Sequence, residues 1–217
     1  MEIFADYLQR RLNSNLPGIN SHLKMVPKIK GKNIREMKAD PSARQSAVMV
    51  LLVDKPDIEI IFTLRSRKLR NHSGQISFPG GRLDKGENAL EAALRETHEE
   101  IGIYFDRINV IGKLSELYVR PSNSIIVPYI GIINDFDKLV LNHDEVEECF
   151  TVPISYFTDS DRLLVSHEII EGYDVEYPSW NIGKNVKLWG ATSMILQELI
   201  DIYEEWLNLT QENFNVV

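Results

Sequence analysis

The residues able to do chemistry crowd into one stretch, Gly81 to Ile103, which reads GRLDKGENALEAALRETHEEIGI. It holds a glycine-led loop, a single Glu87, then Arg95-Glu96 and the pair Glu99-Glu100, closed by Gly102. From Asn88 to Ile101 it reads as a helix. Its alanines and leucines favour helix, and Gly102 stands where a C-terminal cap belongs. At about 100° per residue, Leu90, Ala93, Leu94, Thr97 and Ile101 share one stripe, with Glu96, Glu99 and Glu100 on its flank. That placement breaks local rules. Glu96 faces Glu99 and Glu100 at three- and four-residue spacing, and each like-charge pair costs roughly 0.2–0.5 kcal/mol. All three sit near the helix C-terminus, where the dipole disfavours anions. A hard divalent cation with oxygen ligands removes the conflict. A solvated acidic face is the plain alternative, and the flanking pattern argues against it.

Two features precede the helix. The Gly80-Gly81 turn lets main chain approach a site without side-chain interference. Arg65 to His72 (RSRKLRNH) is a cationic loop that leads straight into the glycine segment. A metal, a basic loop and no nucleophilic Cys or Ser arrangement together point to hydrolysis of a phosphoanhydride.

The elements that must position these groups follow from the apolar pattern. Ala47 to Val53 is a continuous apolar run, suited to a strand buried on both faces. Asp54-Lys55-Pro56-Asp57 is turn chemistry, and Ile58 to Leu64 is a second strand, so the two predict a hairpin. Ile76 to Phe78 is a short strand that Pro79-Gly80-Gly81 breaks. Ile108 to Leu114 and Ile125 to Ile133 read as strands. Phe150 to Ile154 is either a strand or the lead into a short helix. Leu163 to Ile170 and Gly172 to Tyr177 pair as a late hairpin. Ile3 to Leu12 and about Thr192 to Leu207 read as amphipathic helices, the second with a core-type stripe. Ser21 to Arg44 is irregular and basic, and is expected to be an extended arm. This order lacks a regular βαβ period and favours an α/β mixed sheet between helices. The domain plan is therefore an N-terminal helix and arm over 1–44, packing on a domain over 45–217.

The 217 residues carry a net charge of −8, which argues against nucleic-acid binding as the main task. With one cysteine, Cys149, no intrachain disulfide is available, and Cys149 is expected to be a small buried residue. No basic-then-apolar start and no membrane-length apolar run is present, so a cytoplasmic protein with no membrane partner is expected.

Gly81, five residues, Glu87, seven residues, then Arg95-Glu96-Thr97-His98-Glu99-Glu100-Ile101-Gly102-Ile103 resembles the Nudix box, G-x5-E-x7-R-E-U-x-E-E-x-G-U with U aliphatic. The one departure is Thr97 at an aliphatic position, where its hydroxyl can bond back to the preceding turn. Upstream, Thr63-Leu64-Arg65-Ser66, Arg70, His72, Gly74-Gln75 and Phe78-Pro79-Gly80-Gly81 resemble the additional motif of the coenzyme A pyrophosphatase branch. Leu188 to Thr192 resembles that branch's C-terminal segment.

The resemblance implies a Nudix-type α/β/α sandwich with a mixed sheet and a catalytic loop-helix-loop. It implies metal-dependent cleavage of coenzyme A, or its thioester or oxidised forms, to 3′,5′-ADP and a 4′-phosphopantetheine species. Mg²⁺ or Mn²⁺ would be the cofactor. Glu96, Glu99 and Glu100 would be metal ligands, Glu87 an auxiliary one, and Gly81 a carbonyl donor. Arg95 would orient the glutamates. Arg65, Arg70, His72, Gln75 and Gly80 would bind substrate. The general base is either Glu96 or a later acid among Glu116, Glu145 and Glu147. Trp189 is read as a core residue, with stacking on adenine as the alternative. The partner is a small molecule, with the chain a monomer or a homodimer. Two other readings stand beside this one. The same chemistry could act on ADP-ribose or dinucleoside polyphosphates, or the fold could be a non-catalytic nucleotide-sensing module.

Overall fold

The structure is a computed structural model that describes residues 2–30, 39–135, 139–170 and 172–214. Helices α1 (Glu2–Leu12) and α2 (Ile19–Lys24) lead into the short strand β1 (Lys28–Ile29). Strands β2 (Arg44–Val53), β3 (Glu59–Arg65), β4 (Ile76–Ser77) and β5 (Gly80–Arg82) precede helix α3 (Ala89–Ile101). Then come β6 (Asn109–Lys113), β7 (Leu117–Val119), β8 (Ser124–Ile133) and β9 (Val146–Pro153). The hairpin β10 (Leu163–Ile170) and β11 (Tyr173–Trp180) and the long helix α4 (Gly190–Phe214) complete the chain.

Strand β2 is the spine. It runs parallel to β8 over ten residues and antiparallel to β3 and β5. The sheet is therefore mixed, in the order β4-β3-β2-β8-β6, with β5 on β2, β7 on β8 and β9 on β3. Side chains alternate across a strand. Accordingly Val50 and Leu52 join one core with Phe4, Leu8 and Leu199, while Ala47, Met49, Leu51 and Val53 join another with Ala93 and Ile101. Helices α1 and α4 thus cover one face and α3 the other, as in the expected sandwich.

Several elements differ from the expectation. Gly80-Gly81 is not a break but part of β5, because it pairs antiparallel with Ala47 and Val48 of β2. The segment from Ser21 is not an extended arm throughout. Its first residues complete α2, β1 pairs with β11, and Lys32, Arg35, Glu36 and Lys38 lie outside the described residues. The last helix begins two residues before Thr192 and runs on to Phe214. Cys149 is only partly buried, and burial beside Glu100 and Glu148 pushes its thiol up to about 12. Among the described residues no helix is long and apolar enough to cross a membrane.

A buried polar knot explains why so short a helix as α2 persists. Glu198 of α4, fully buried, accepts from the Gly18 amide at 3.0 Å, His22 Nε2 at 3.2 Å, and the Ser115 amide and hydroxyl at 3.1 and 2.7 Å. Burial pushes the Glu198 pKa up, but the hydrogen bonds from His22, Ser115 and Gly18 outweigh it and hold the carboxyl below its ordinary 4.5. A depressed folded pKa contributes stability above the unfolded value and loses it as pH falls through the folded one. Replacing Glu198 by alanine leaves those donors buried and unpaired, and is expected to cost about 3–5 kcal/mol. Urea titrations should show that loss near neutral pH. They should also show wild type, but not Glu198→Gln, losing this contribution below about pH 4.5.

Candidate active site

Helix α3 is specified at both ends. Asn88 Oδ1 accepts from the amides of Leu90 and Glu91, each at 3.0 Å, and Glu91 Oε2 accepts from the Asn88 amide at 2.9 Å. This reciprocal capping satisfies amides that the helix itself cannot. Gly102, at φ 75°, ends the helix and donates to the His98 carbonyl at 2.9 Å. The buried line is Ala92, Ala93, Thr97, Glu100 and Ile101, while Leu90 and Leu94 are half-buried. The helix is thus rotated from the expected stripe, and Glu100 points into the protein rather than along its flank. Thr97 fits the core because its hydroxyl donates to the Ala93 carbonyl at 2.6 Å.

Glu100 is 1% exposed. Its Oε1 accepts from Arg65 Nη1 and its Oε2 from the Gly80 amide, both at 3.3 Å. Burial pushes its carboxyl up to about 8. The Arg65 charge opposes that shift, and Glu96 and Glu145 add to it. Glu96 is also raised, by burial against the opposing hydrogen bond and charge of Arg95. Carboxylate oxygens of Glu96, Glu100 and Glu145 lie within 4.8 Å of one another.

Glu145 reaches this group through a loop with defined anchors. The Asn142 amide donates to the Glu100 carbonyl at 3.0 Å, and Asn142 Nδ2 donates to Glu145 Oε1 at 3.3 Å. The Ser66 amide donates to the Glu145 carbonyl at 2.8 Å, which ties the cationic loop to the acidic one. The β3–β9 ladder shifts register between Leu64 and Arg65. Irregularities of this kind re-aim a side chain, and here Arg65 faces Glu100. Arg65 Nε is buried with no hydrogen-bond partner among the described residues.

Arg95 organises the acids rather than facing open space. Its Nε donates to Glu87 at 2.8 Å, Nη1 to Glu96 at 2.9 Å and Glu99 at 3.0 Å, and Nη2 to Glu87 and the Arg82 carbonyl at 3.0 Å. Glu87, which also accepts from the Asp84 amide, and Glu99, half-exposed, are therefore held by Arg95 and stand outside the carboxylate trio.

The trio opens onto a cavity of about 800 Å³. Arg65, His72, Gln75, Gly80 and Gly81 line it together with Glu96, Glu100 and Glu145. His72 Nδ1 and Gln75 Oε1 share a 2.9 Å hydrogen bond. Arg70 is exposed and does not line the cavity. Of the loop acids, Glu116 and Glu147 are exposed; Glu116 lies near Lys113 and Glu147 near Arg67.

The family profile of the NUDIX domain matches residues 43–164, more than half the chain. NudL of Pectobacterium atrosepticum, an uncharacterised Nudix hydrolase, is 34% identical over 165 residues, which is 72% of this chain and 81% of its own length. The chain belongs to the Nudix hydrolase family. Nudix hydrolase 3 of Caenorhabditis elegans is 40% identical over 116 residues, 52% of this chain but only 48% of the worm protein. A MutT protein from Methanosarcina mazei Go1 superposes at a TM-score of 0.48 with 17% identity, over 74% of this chain and 94% of its own.

The Nudix residues fit a divalent cation. Three carboxylates converge, one of them buried with its charge only partly offset. A Cβ at Gly81 would fall 2.3 Å from the Glu96 carboxyl carbon, so a side chain there would push that carboxyl out of the trio. An all-oxygen donor set suits Mg²⁺ or Mn²⁺.

Sequence reasoning missed several residues of this Nudix site. Asn142 carries no signal beyond turn chemistry. Arg44, Arg82 and Arg120 reach the cavity wall from segments far apart in sequence. Trp189 is not a core residue but is half-buried on that wall.

Proposed function

We propose that this Nudix hydrolase cleaves the pyrophosphate of coenzyme A, or of its thioester or oxidised forms, to 3′,5′-ADP and a 4′-phosphopantetheine species. Glu96, Glu100 and Glu145 hold the divalent cation, with Gly81 presenting main chain beside them. When bound, the cation neutralises phosphate oxygens and activates water. The water oxygen attacks one phosphorus of the anhydride, and the bridging P–O bond breaks. The bridging oxygen leaves with the departing phosphate, and a carboxylate takes the water's proton. Glu145, carried by a loop that Asn142 fixes, takes that role, while Glu96 and Glu100 stay anchored on α3. Arg95 has a partner for each of its nitrogens and acts as a positioning residue.

One observation carries the choice of substrate. The upstream motif residues Arg65, His72, Gln75 and Gly80 line the same cavity as the carboxylates. Arg44, Arg82 and Arg120 on that wall supply positive charge beyond what one pyrophosphate needs, and coenzyme A carries a further 3′-phosphate. Purified protein with Mg²⁺ or Mn²⁺ and coenzyme A is expected to release 3′,5′-ADP, resolved by chromatography. Turnover of ADP-ribose or diadenosine compounds alone would overturn the substrate assignment.

A further inference from the structure

The family match ends before the cavity does. Residues 43–164 contain the carboxylates and the glycine turn, yet Val26, Pro27, Ile29 and Trp189 form another part of the wall. Hydrogen bonds anchor the chain on both sides of Trp189. Just before it, Leu188 and Trp180 exchange main-chain hydrogen bonds at 2.8 and 3.1 Å. Just after it, the Thr192 hydroxyl donates to the Ile76 carbonyl at 3.0 Å. The indole packs on Tyr177 with centroids 4.5 Å apart and planes tilted by 34°. Tyr177 is itself 2% exposed, so Trp189 has a rigid backing.

The β1 segment belongs to the same construction. It pairs with β11, Lys28 opposite Glu176 and Ile29 opposite Val175, and so lies along the strand that carries Tyr177. Val26, Pro27 and Ile29 are each only half-buried, and their remaining surface is apolar. The cavity thus has two chemistries. Carboxylates and arginines suit a charged anhydride, and a backed indole beside aliphatic side chains suits a flat apolar group. A nucleoside diphosphate derivative has the same division, with its base and its anhydride separated by a ribose.

We propose that Trp189, with Val26 and Ile29, is the subsite that takes the heteroaromatic base of the substrate, and that this wall sets which nucleotides are accepted. The inference rests on the nucleotide-pyrophosphatase reading of the carboxylate end, and not on coenzyme A in particular. Because neither wall lies within the matched span, relatives sharing the carboxylate machinery are free to differ here.

The test uses the whole protein with Mg²⁺ and two ligands that contain no anhydride, AMP and ribose 5-phosphate, titrated by calorimetry. Trp189→Ala is expected to weaken AMP by about tenfold or more, the range of base–aromatic stacking, and to leave ribose 5-phosphate unchanged. Trp189→Phe should restore AMP binding. On any nucleotide that wild type cleaves, Trp189→Ala should raise KM with kcat within about twofold, as for a lost binding contact. Trp189→Leu, which keeps apolar bulk, replaces the alanine variant if thermal melting shows that one to be unfolded. Unchanged AMP affinity, or equal losses for AMP and ribose 5-phosphate, overturns the proposal. If coenzyme A is not cleaved but AMP binding responds to Trp189, the substrate assignment falls and the subsite stands.

Discussion

Glu100→Gln is expected to lower turnover by at least about a hundredfold while the metal-free protein becomes more stable above neutral pH. Loss of groups that merely support a metal ligand costs 10–100-fold, so loss of a converging carboxylate costs no less. The stability gain has a different origin. Glu100 is 1% exposed, and burial pushes its carboxyl from an ordinary 4.5 up to about 8. With the folded pKa above the unfolded one, its contribution is intact below pH 4.5 and is lost as pH rises toward 8. The penalty is of order a few kcal/mol, and the glutamine variant does not titrate. Melting in EDTA at pH 5 and pH 8 should therefore show wild type falling and the variant holding level. A near-normal rate would remove Glu100 from the metal site. A flat wild-type profile would remove the conflict between its burial and its charge.

Two adjacent glycines are expected to fail in opposite ways. At Gly80 (φ 152°), a Cβ would meet the Ala47 carbonyl oxygen at 2.3 Å and the Val48 Cα at 2.6 Å. Both are main chain of β2 and cannot swing aside, so Gly80→Ala must open the β5 ladder. A loss of about 3 kcal/mol in urea unfolding is expected. At Gly81 the atoms nearest the Cβ would be those of the Glu96 carboxyl, the far end of a flexible side chain. That carboxyl can rotate away, so Gly81→Ala should keep the fold within about 1 kcal/mol. It should nevertheless lose about a hundredfold in kcat/KM, because Glu96 leaves the trio. Equal stability losses in the two variants would contradict this division, as would normal activity in Gly81→Ala.

The parts of the fold legible in the sequence are those that local pattern and local chemistry determine. The apolar run of β2 required burial on both faces, and it has that. Helix α3 could be read from its composition and its Gly102 cap, and the box pattern named Glu96 and Glu100, which the structure brings together with Glu145. What could not be read depends on distant partners. β5 exists because Ala47 and Val48 accept its main chain, against the low strand propensity of two glycines. α2 is held by Glu198, far along the chain. That Glu145, rather than Glu116 or Glu147, lies beside Glu96 and Glu100 depends on the loop that Asn142 pins to the end of α3. The motif could not separate Arg65, aimed at Glu100, from Arg70, exposed away from the cavity, because spacing in a loop does not determine direction.

The trio of carboxylates also imposes an order of events. Glu96 and Glu100 are one turn apart and come into register as soon as α3 coils. Glu145 lies just before β9, which is placed by pairing with β3, so a long loop must close first. Until that closure, α3 is a short helix whose glutamates only Arg95 offsets locally, marginal on its own in water. The proposed cation site is thus complete only when β9 has paired with β3. A cation held by the proposed trio would bind the finished sheet and stabilise it by mass action.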